Sequence, residues 1–207
     1  WAPPLAAPVA GTFQKLDGST SDAQMMRTGG QLRYYAGDEF VSVALPYYGN
    51  QLELQLIVPE VGAYESVRNA LSSDTLTQTV TAGSYERVDL TLPKFNVKSV
   101  VPAADVLKTL GVVTAFDKHL ASFPAFASEV FENVYVSDVL HQATVAIDEK
   151  GTEASAATAI VLAGLTIGLD DPEPTTPKVV VADRPFLFVI RDNPTGAVLF
   201  IGQIVAP

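Results

Sequence analysis

The chain has 207 residues, 48% of them hydrophobic and 17% charged, a balance that fits a folded protein with one sizeable core rather than a disordered one. Its 13 Lys and Arg against 23 Asp and Glu give a formal charge of -10, with no basic run to offset it locally, so a phosphate backbone would be repelled and nucleic acid is excluded as a partner. The absence of cysteine removes disulfides, thiolate metal sites and a cysteine nucleophile together, and leaves the redox compartment open.

The opening Trp1-Ala2-Pro3-Pro4-Leu5 has neither the basic nor the apolar region of a signal peptide, and a start on Trp1 without Met leads us to expect a piece cut from something longer. Apolar residues alternate at Leu52, Leu54, Leu56 and Val58, which predicts a strand. Tyr64, Val67 and Leu71 stand at i, i+3 and i+7 and predict a helix. Alternation returns at Val88, Leu90 and Leu92. Pro102 to Leu110 then reads as a second helix, with Pro near its first turn and Gly111 as a stop. Val145 and Ile147 mark another strand. The chain closes on a hairpin, Phe186 to Ile190 and Val198 to Ile204 around Asp192-Asn193-Pro194-Thr195-Gly196. Its nearly continuous apolar strands are expected to be buried on both faces.

Between Gly151 and Pro185 the periodicity fails. Asp170-Asp171-Pro172-Glu173-Pro174-Thr175-Thr176-Pro177 can be neither a central strand nor a helix. A long loop between two buried strands usually has a function. The uncharged run Ala154 to Leu169 falls short of the ~20 apolar residues of a membrane span and is diluted by Ser155, Thr158, Gly164, Thr166 and Gly168, so no membrane partner is expected. No repeat of solenoid length and no linker between independent domains is evident.

His119 and His141 are the only histidines and lack metal-ligand spacing. Asp170, Asp171 and Glu173 lack the spacing of a calcium loop, and nothing matches a G-x-S-x-G nucleophile elbow. An enzyme is therefore not expected, nor is any cofactor or metal. Trp1, Phe13 and Phe95 read as core aromatics rather than a ligand-stacking set.

The informative tract is Glu149-Lys150-Gly151-Thr152-Glu153-Ala154-Ser155-Ala156-Ala157-Thr158. In a strand, Thr152, Ala154, Ala156 and Thr158 share one face, and Glu153, Ser155 and Ala157 the other. Such a ribbon suits a segment that lies in solvent at one time and slides between two strands at another, since a large or charged inward side chain would oppose insertion by overpacking or desolvation. Taken alone, the same composition also suits a flexible linker.

The tract resembles the hinge of inhibitory serpins in residue type, order and spacing. Further matching landmarks stand in serpin order: Trp1, Thr12-Phe13, Met25-Met26, Leu45-Pro46-Tyr47, Leu92-Pro93-Lys94-Phe95, Gly111 with Phe116, His141, Asp183-Arg184-Pro185-Phe186-Leu187-Phe188, and Leu199-Phe200-Ile201-Gly202. The resemblance implies an α+β serpin fold, mainly antiparallel sheets with a few helices. This chain would be the incomplete carboxy-terminal portion, 1–207, of a single domain, with hinge and reactive loop at 149–180.

It further implies a suicide-type inhibitor of serine proteases rather than an enzyme, extracellular or secreted, with the amino-terminal half of the same serpin as a partner. In the family Trp1 would lie near the top of the sheet where the loop first inserts, and His141 would support the core by bonding between strands. Family spacing counted from Glu149 puts the scissile bond at Leu165-Thr166, whereas counting back from the terminal strands puts it nearer Pro174. No Lys or Arg lies between Gly151 and Pro177, while Leu162, Leu165 and Leu169 suit chymotrypsin-, subtilisin- or elastase-like proteases with hydrophobic pockets. The alternative is a non-inhibitory carrier, chaperone or storage serpin, members of which tend to carry bulky or charged hinge residues.

Overall fold

The structure, a computed structural model, describes residues 1–125, 134–152 and 176–207. The chain divides into two compact units, one of Trp1–Asn96 with Ala146–Pro207 and one of Val97–Val145.

The larger unit is organised on a long antiparallel ladder. Strand β1 (Val9–Gln14) pairs with β2 (Thr20–Ala36), and β2 pairs in turn with β3 (Phe40–Pro46). Next come β4 (Leu52–Pro59), α1 (Tyr64–Ala70), α2 (Ser73–Thr81) and β5 (Ser84–Pro93). Beyond the undescribed residues lie β9 (Lys178–Val181), β10 (Phe186–Asp192) and β11 (Val198–Ile204), numbered after three strands introduced below. These form an eight-stranded sheet of order β11-β10-β4-β3-β2-β5-β9, with β1 attached to β2. Among the described residues of this sheet only β5 and β9 run parallel.

The predicted strands fall where alternation put them, and α1 coincides with the Tyr64, Val67, Leu71 pattern. Alternation in β4 does not mean one wet face, however. Leu54 and Leu56 are fully buried, and so, nearly, are Glu53 and Gln55. Burial of the polar side is tolerated because both side chains find partners, although Gln55 Oε1 accepts no hydrogen bond. Glu53 takes an ion pair from Arg33 and lies 3.7 Å from Nε of Arg191, while Gln55 donates to Ser42 and Thr79. Removing the shared carboxylate leaves two guanidiniums facing each other in a largely buried site. Glu53→Ala should therefore destabilise the full-length protein by about 3–5 kcal/mol. Urea denaturation checks this, and a loss below about 1 kcal/mol would mean that water already screens the pair.

Beneath α1 and α2, Ile57, Tyr64, Val67 and Leu187 form one buried cluster. A second, aromatic cluster joins Phe186 to Phe13 and Phe95, with ring centroids 6.5 and 5.9 Å apart, and Phe95 to Phe188 at 5.4 Å. Phe13 and Phe95 are thus core residues, as expected.

The terminal hairpin departs from expectation in one strand. β10 is buried from Phe186 to Ile190, but Val198, Leu199, Phe200 and Ile201 of β11 are all exposed. β11 is the edge of the sheet, so among the described residues only β10 flanks it.

A second sheet has the order β6-β7-β8, from β6 (Phe95–Pro102), β7 (Leu140–Asp148) and β8 (Gly151–Thr152). The smaller unit also holds α3 (Ala104–Thr109) and a 3-10 turn at Thr114–Phe116. α3 begins two residues after Pro102, which instead ends β6, and stops before Gly111, whose φ of 96° only glycine adopts freely. Lys108 Nζ sits 5.2 Å from the centroid of the Phe116 ring, which ties α3 to the turn. No helix among the described residues is long and apolar enough to cross a membrane.

Candidate functional site

The hinge begins as a tight hairpin within the larger unit. β7 ends at Asp148, the chain turns through Glu149 and Lys150, and β8 returns with Asp148 opposite Gly151 and Ile147 opposite Thr152. The turn is encoded locally. Asp148 Oδ1 accepts from the backbone N–H of Lys150 at 2.8 Å and of Gly151 at 3.1 Å, the side-chain-capped geometry that aspartate favours. Gly151 has a φ of 145°, which a side chain would strain although no atom lies within 4 Å of its missing Cβ. Ile147 and Val145 anchor the outgoing strand in the core.

Three side chains from distant parts of the sequence close on this hairpin. Trp1 Nε1 donates to the carbonyl of Asp148 at 2.9 Å. The Trp1 ring stacks on Tyr47 with centroids 4.4 Å apart and planes 29° from parallel. The Tyr47 hydroxyl is hydrogen-bonded to the Thr152 hydroxyl. From the opposite quarter, Lys94 Nζ lies 3.4 Å from Glu149 Oε2 and 3.8 Å from Asp148 Oδ2. These ion pairs are exposed enough to contribute ~0–1 kcal/mol, so they orient the turn more than they stabilise it.

Backbone contacts explain why these residues meet. Ala2 N–H donates to the Pro46 carbonyl at 2.8 Å, which lays the amino-terminal segment beside the end of β3, and Thr28 Oγ1 holds Pro4 at 3.0 Å. Tyr47 begins the turn between β3 and β4, where Gly49 and Asn50 take φ values of 83° and 57°. Lys94 follows β5 directly, and its N–H donates to the carbonyl of Gln24. Burial raises the Tyr47 pKa above the usual phenol value, and the bond to Thr152 pulls weakly the other way. The hydroxyl, like any phenol near neutral pH, can both give and take a hydrogen bond.

Of the residues singled out from sequence, the structure brings together Trp1, Glu149, Lys150, Gly151 and Thr152. Glu153, Ala154, Ser155, Ala156, Ala157 and Thr158, and the bond Leu165-Thr166, lie outside the described residues. His141 was expected to support the core between strands. It lies exposed on β7, and none of the side-chain hydrogen bonds among the described residues involves it. His119 is exposed, as expected of a surface residue. Tyr47 and Lys94 stood in recognisable motifs, but their contact with the hinge across 105 and 55 residues of sequence was not readable from spacing.

The family model described as Serpin (serine protease inhibitor) matches residues 7–207. Similar relatives include an uncharacterized serpin-like protein of Thermococcus kodakarensis, 33% identical over 95% of this chain and 44% of its own length. Plasminogen activator inhibitor 1 of Bos taurus is 33% identical over 94% of this chain and 48% of its own length. Human antithrombin-III is 30% identical over 94% and 41%. Among solved structures, native tengpin, a thermophilic serpin, superposes with a TM-score of 0.78 at 26% identity, covering 97% of this chain and 50% of that one. Native protease nexin-1 with heparin superposes with a TM-score of 0.80 at 28% identity, covering 100% and 54%. The chain thus spans about half the length of the relatives it matches. With a family match across nearly all its residues, and an incomplete serpin fold of mostly antiparallel strands, this chain belongs to the serpin family.

Proposed function

We propose that this chain carries the hinge and reactive loop of a suicide-type inhibitor of serine proteases, secreted and acting together with the amino-terminal half of the same serpin. The observation that supports this best is the hinge itself. It leaves β7 through an aspartate-capped glycine turn and returns along the same strand, with the small side chain of Thr152 received by Tyr47. A strand that has begun to pair with β7 needs only a cut further along to continue, and serpin loop insertion is an established example of such strand addition.

In this reading a protease attacks the loop, forms its acyl-enzyme and is carried along as the loop inserts. A new strand of roughly 15 residues closes about as many backbone hydrogen bonds, each worth ~0.5–1.5 kcal/mol net, so the gain is on the order of 10 kcal/mol. At ~3.3 Å per residue the tethered protease moves about 50 Å. Distortion of its oxyanion hole on arrival withdraws the support that deacylation needs.

Incubation of the full-length protein with a panel of serine proteases tests this. An SDS-resistant complex supports it, and clean digestion without complex sinks it. Sequencing the released peptide locates the bond, which we place at Leu165-Thr166. Leucine at the primary position suits a hydrophobic pocket, so Leu165→Arg should shift the preferred target towards trypsin-like enzymes that hold a carboxylate there. An unchanged ranking of the same panel would move the bond elsewhere in the loop.

A further inference from the structure

We infer that Trp1 and Tyr47 act as a register pin for the hinge hairpin, holding both strands at once so that the returning strand can start on only one of its two faces. The role deepens the loop-insertion reading and rests on it. Among the described residues β8 makes two register pairs, Ile147↔Thr152 and Asp148↔Gly151, and two pairs alone do not specify alignment. Trp1 grips the outgoing strand at the Asp148 carbonyl, and Tyr47 grips the returning one at the Thr152 hydroxyl. Because the two rings are stacked, the grips are mechanically one. Lys94 differs, since it reaches the carboxylates of Asp148 and Glu149 and has no hydrogen bond or ion pair to β8 among the described residues.

Register matters here because the side-chain period of a strand is two, so a slip by one residue exchanges its faces. With Thr152 at Tyr47, strict alternation gives Ala154, Ala156 and Thr158 the same face. A one-residue slip would give that face to Glu153, Ser155 and Ala157 and bring a carboxylate inward, where desolvation opposes it. The hydroxyl pair therefore selects the small-residue face at the first residue of the returning strand's pairing. Tyr47 is suited to this because its hydroxyl is neutral at physiological pH, so either oxygen of the pair can donate.

Hydrogen exchange on the uncut full-length protein, read by mass spectrometry on peptides covering residues 145 to 152, tests the pin without any protease. Tyr47→Phe keeps the ring and its stacking but removes the hydroxyl, and should speed exchange in this peptide about five-fold, the effect of one lost hydrogen bond. Thr152→Val should do the same, the double variant no more than either, and Thr152→Ser should restore the parent rate. With a target protease, Tyr47→Phe should also consume several-fold more inhibitor per complex formed. Parent-like exchange in both single variants overturns the pin, as does fast exchange in Tyr47→Phe alone, which would mark a packing role. Faster exchange in both, with no complex from the parent protein, would keep the pin and remove the inhibitory reading.

Discussion

If the full-length protein traps proteases as proposed, Thr152→Arg should convert it from a trap into an ordinary substrate. Thr152 stands first among the small residues that share its face, and its hydroxyl already meets Tyr47 beneath the Trp1 ring. An arginine there must displace that aromatic pair or carry an unpaired charge into the sheet, a cost of several kcal/mol. Trapping is a race between insertion and deacylation. If the barrier to insertion rises by ~3 kcal/mol, the rate falls about a hundred-fold and hydrolysis wins. The expected gel shows loop-cleaved inhibitor and free active protease, with SDS-resistant complex all but gone. A variant that still traps as well as the parent would mean that insertion does not begin at Thr152.

The fold was readable where a single periodicity governed each element. β4 and β5 announced themselves by alternation and β10 by its unbroken apolar run. β2 did not, although it is a long strand that pairs with β5 from Met25↔Pro93 to Tyr34↔Ser84. Gly29 and Gly30 interrupt its pattern, and its exposed Gln24, Arg27 and Gln31 alternate imperfectly with buried positions. α2 was hidden for the opposite reason. Its sequence SDTLTQTVT is polar and rich in β-branched threonine, which favours strand over helix in isolation. The helix forms because Ser72 caps it, accepting from Thr75 N–H at 3.2 Å, and because Thr79 satisfies Gln55 in the sheet below. β11 shows the limit of composition. Val198 to Ile201 reads as a core strand, yet burial depends on what lies against it, which its own residues do not specify.

The same division runs through the hinge. Its turn is local chemistry, an aspartate cap before a glycine, and is legible in Asp148 to Gly151. Its grip is tertiary. Tyr47, Trp1 and Lys94 reach it from three remote segments because β3, the amino-terminal segment and the end of β5 converge there. Residue type alone offers no reason to choose Tyr47, half-buried and hydrogen-bonded to Thr152, over Tyr48 beside it, which is 87% exposed.

Cleavage of the reactive loop in the full-length protein should raise its heat-denaturation midpoint by about 10 °C or more. Before cutting, the segment after Thr152 is joined at both ends to strands that fix its span, Asp148 at the end of β7 and Lys178 at the start of β9. β9 is held by four parallel pairs from Val88↔Lys178 to Thr91↔Val181, and Ala182 N–H donates to the Thr91 carbonyl at 2.8 Å. A cut releases the hinge from that second anchor, and the hairpin at Asp148 to Thr152 can then lengthen along β7. A gain on the order of 10 kcal/mol follows from the hydrogen bonds closed. At ~1 °C of midpoint per kcal/mol for a protein about twice the length of this chain, the shift is readily measured by circular dichroism or calorimetry. The same experiment separates the two readings of the family resemblance. A non-inhibitory serpin whose loop stays outside the sheet would melt at the same temperature before and after the cut, and Thr152→Arg should suppress the rise in an inhibitory one, because the strand it blocks is the source of the added stability.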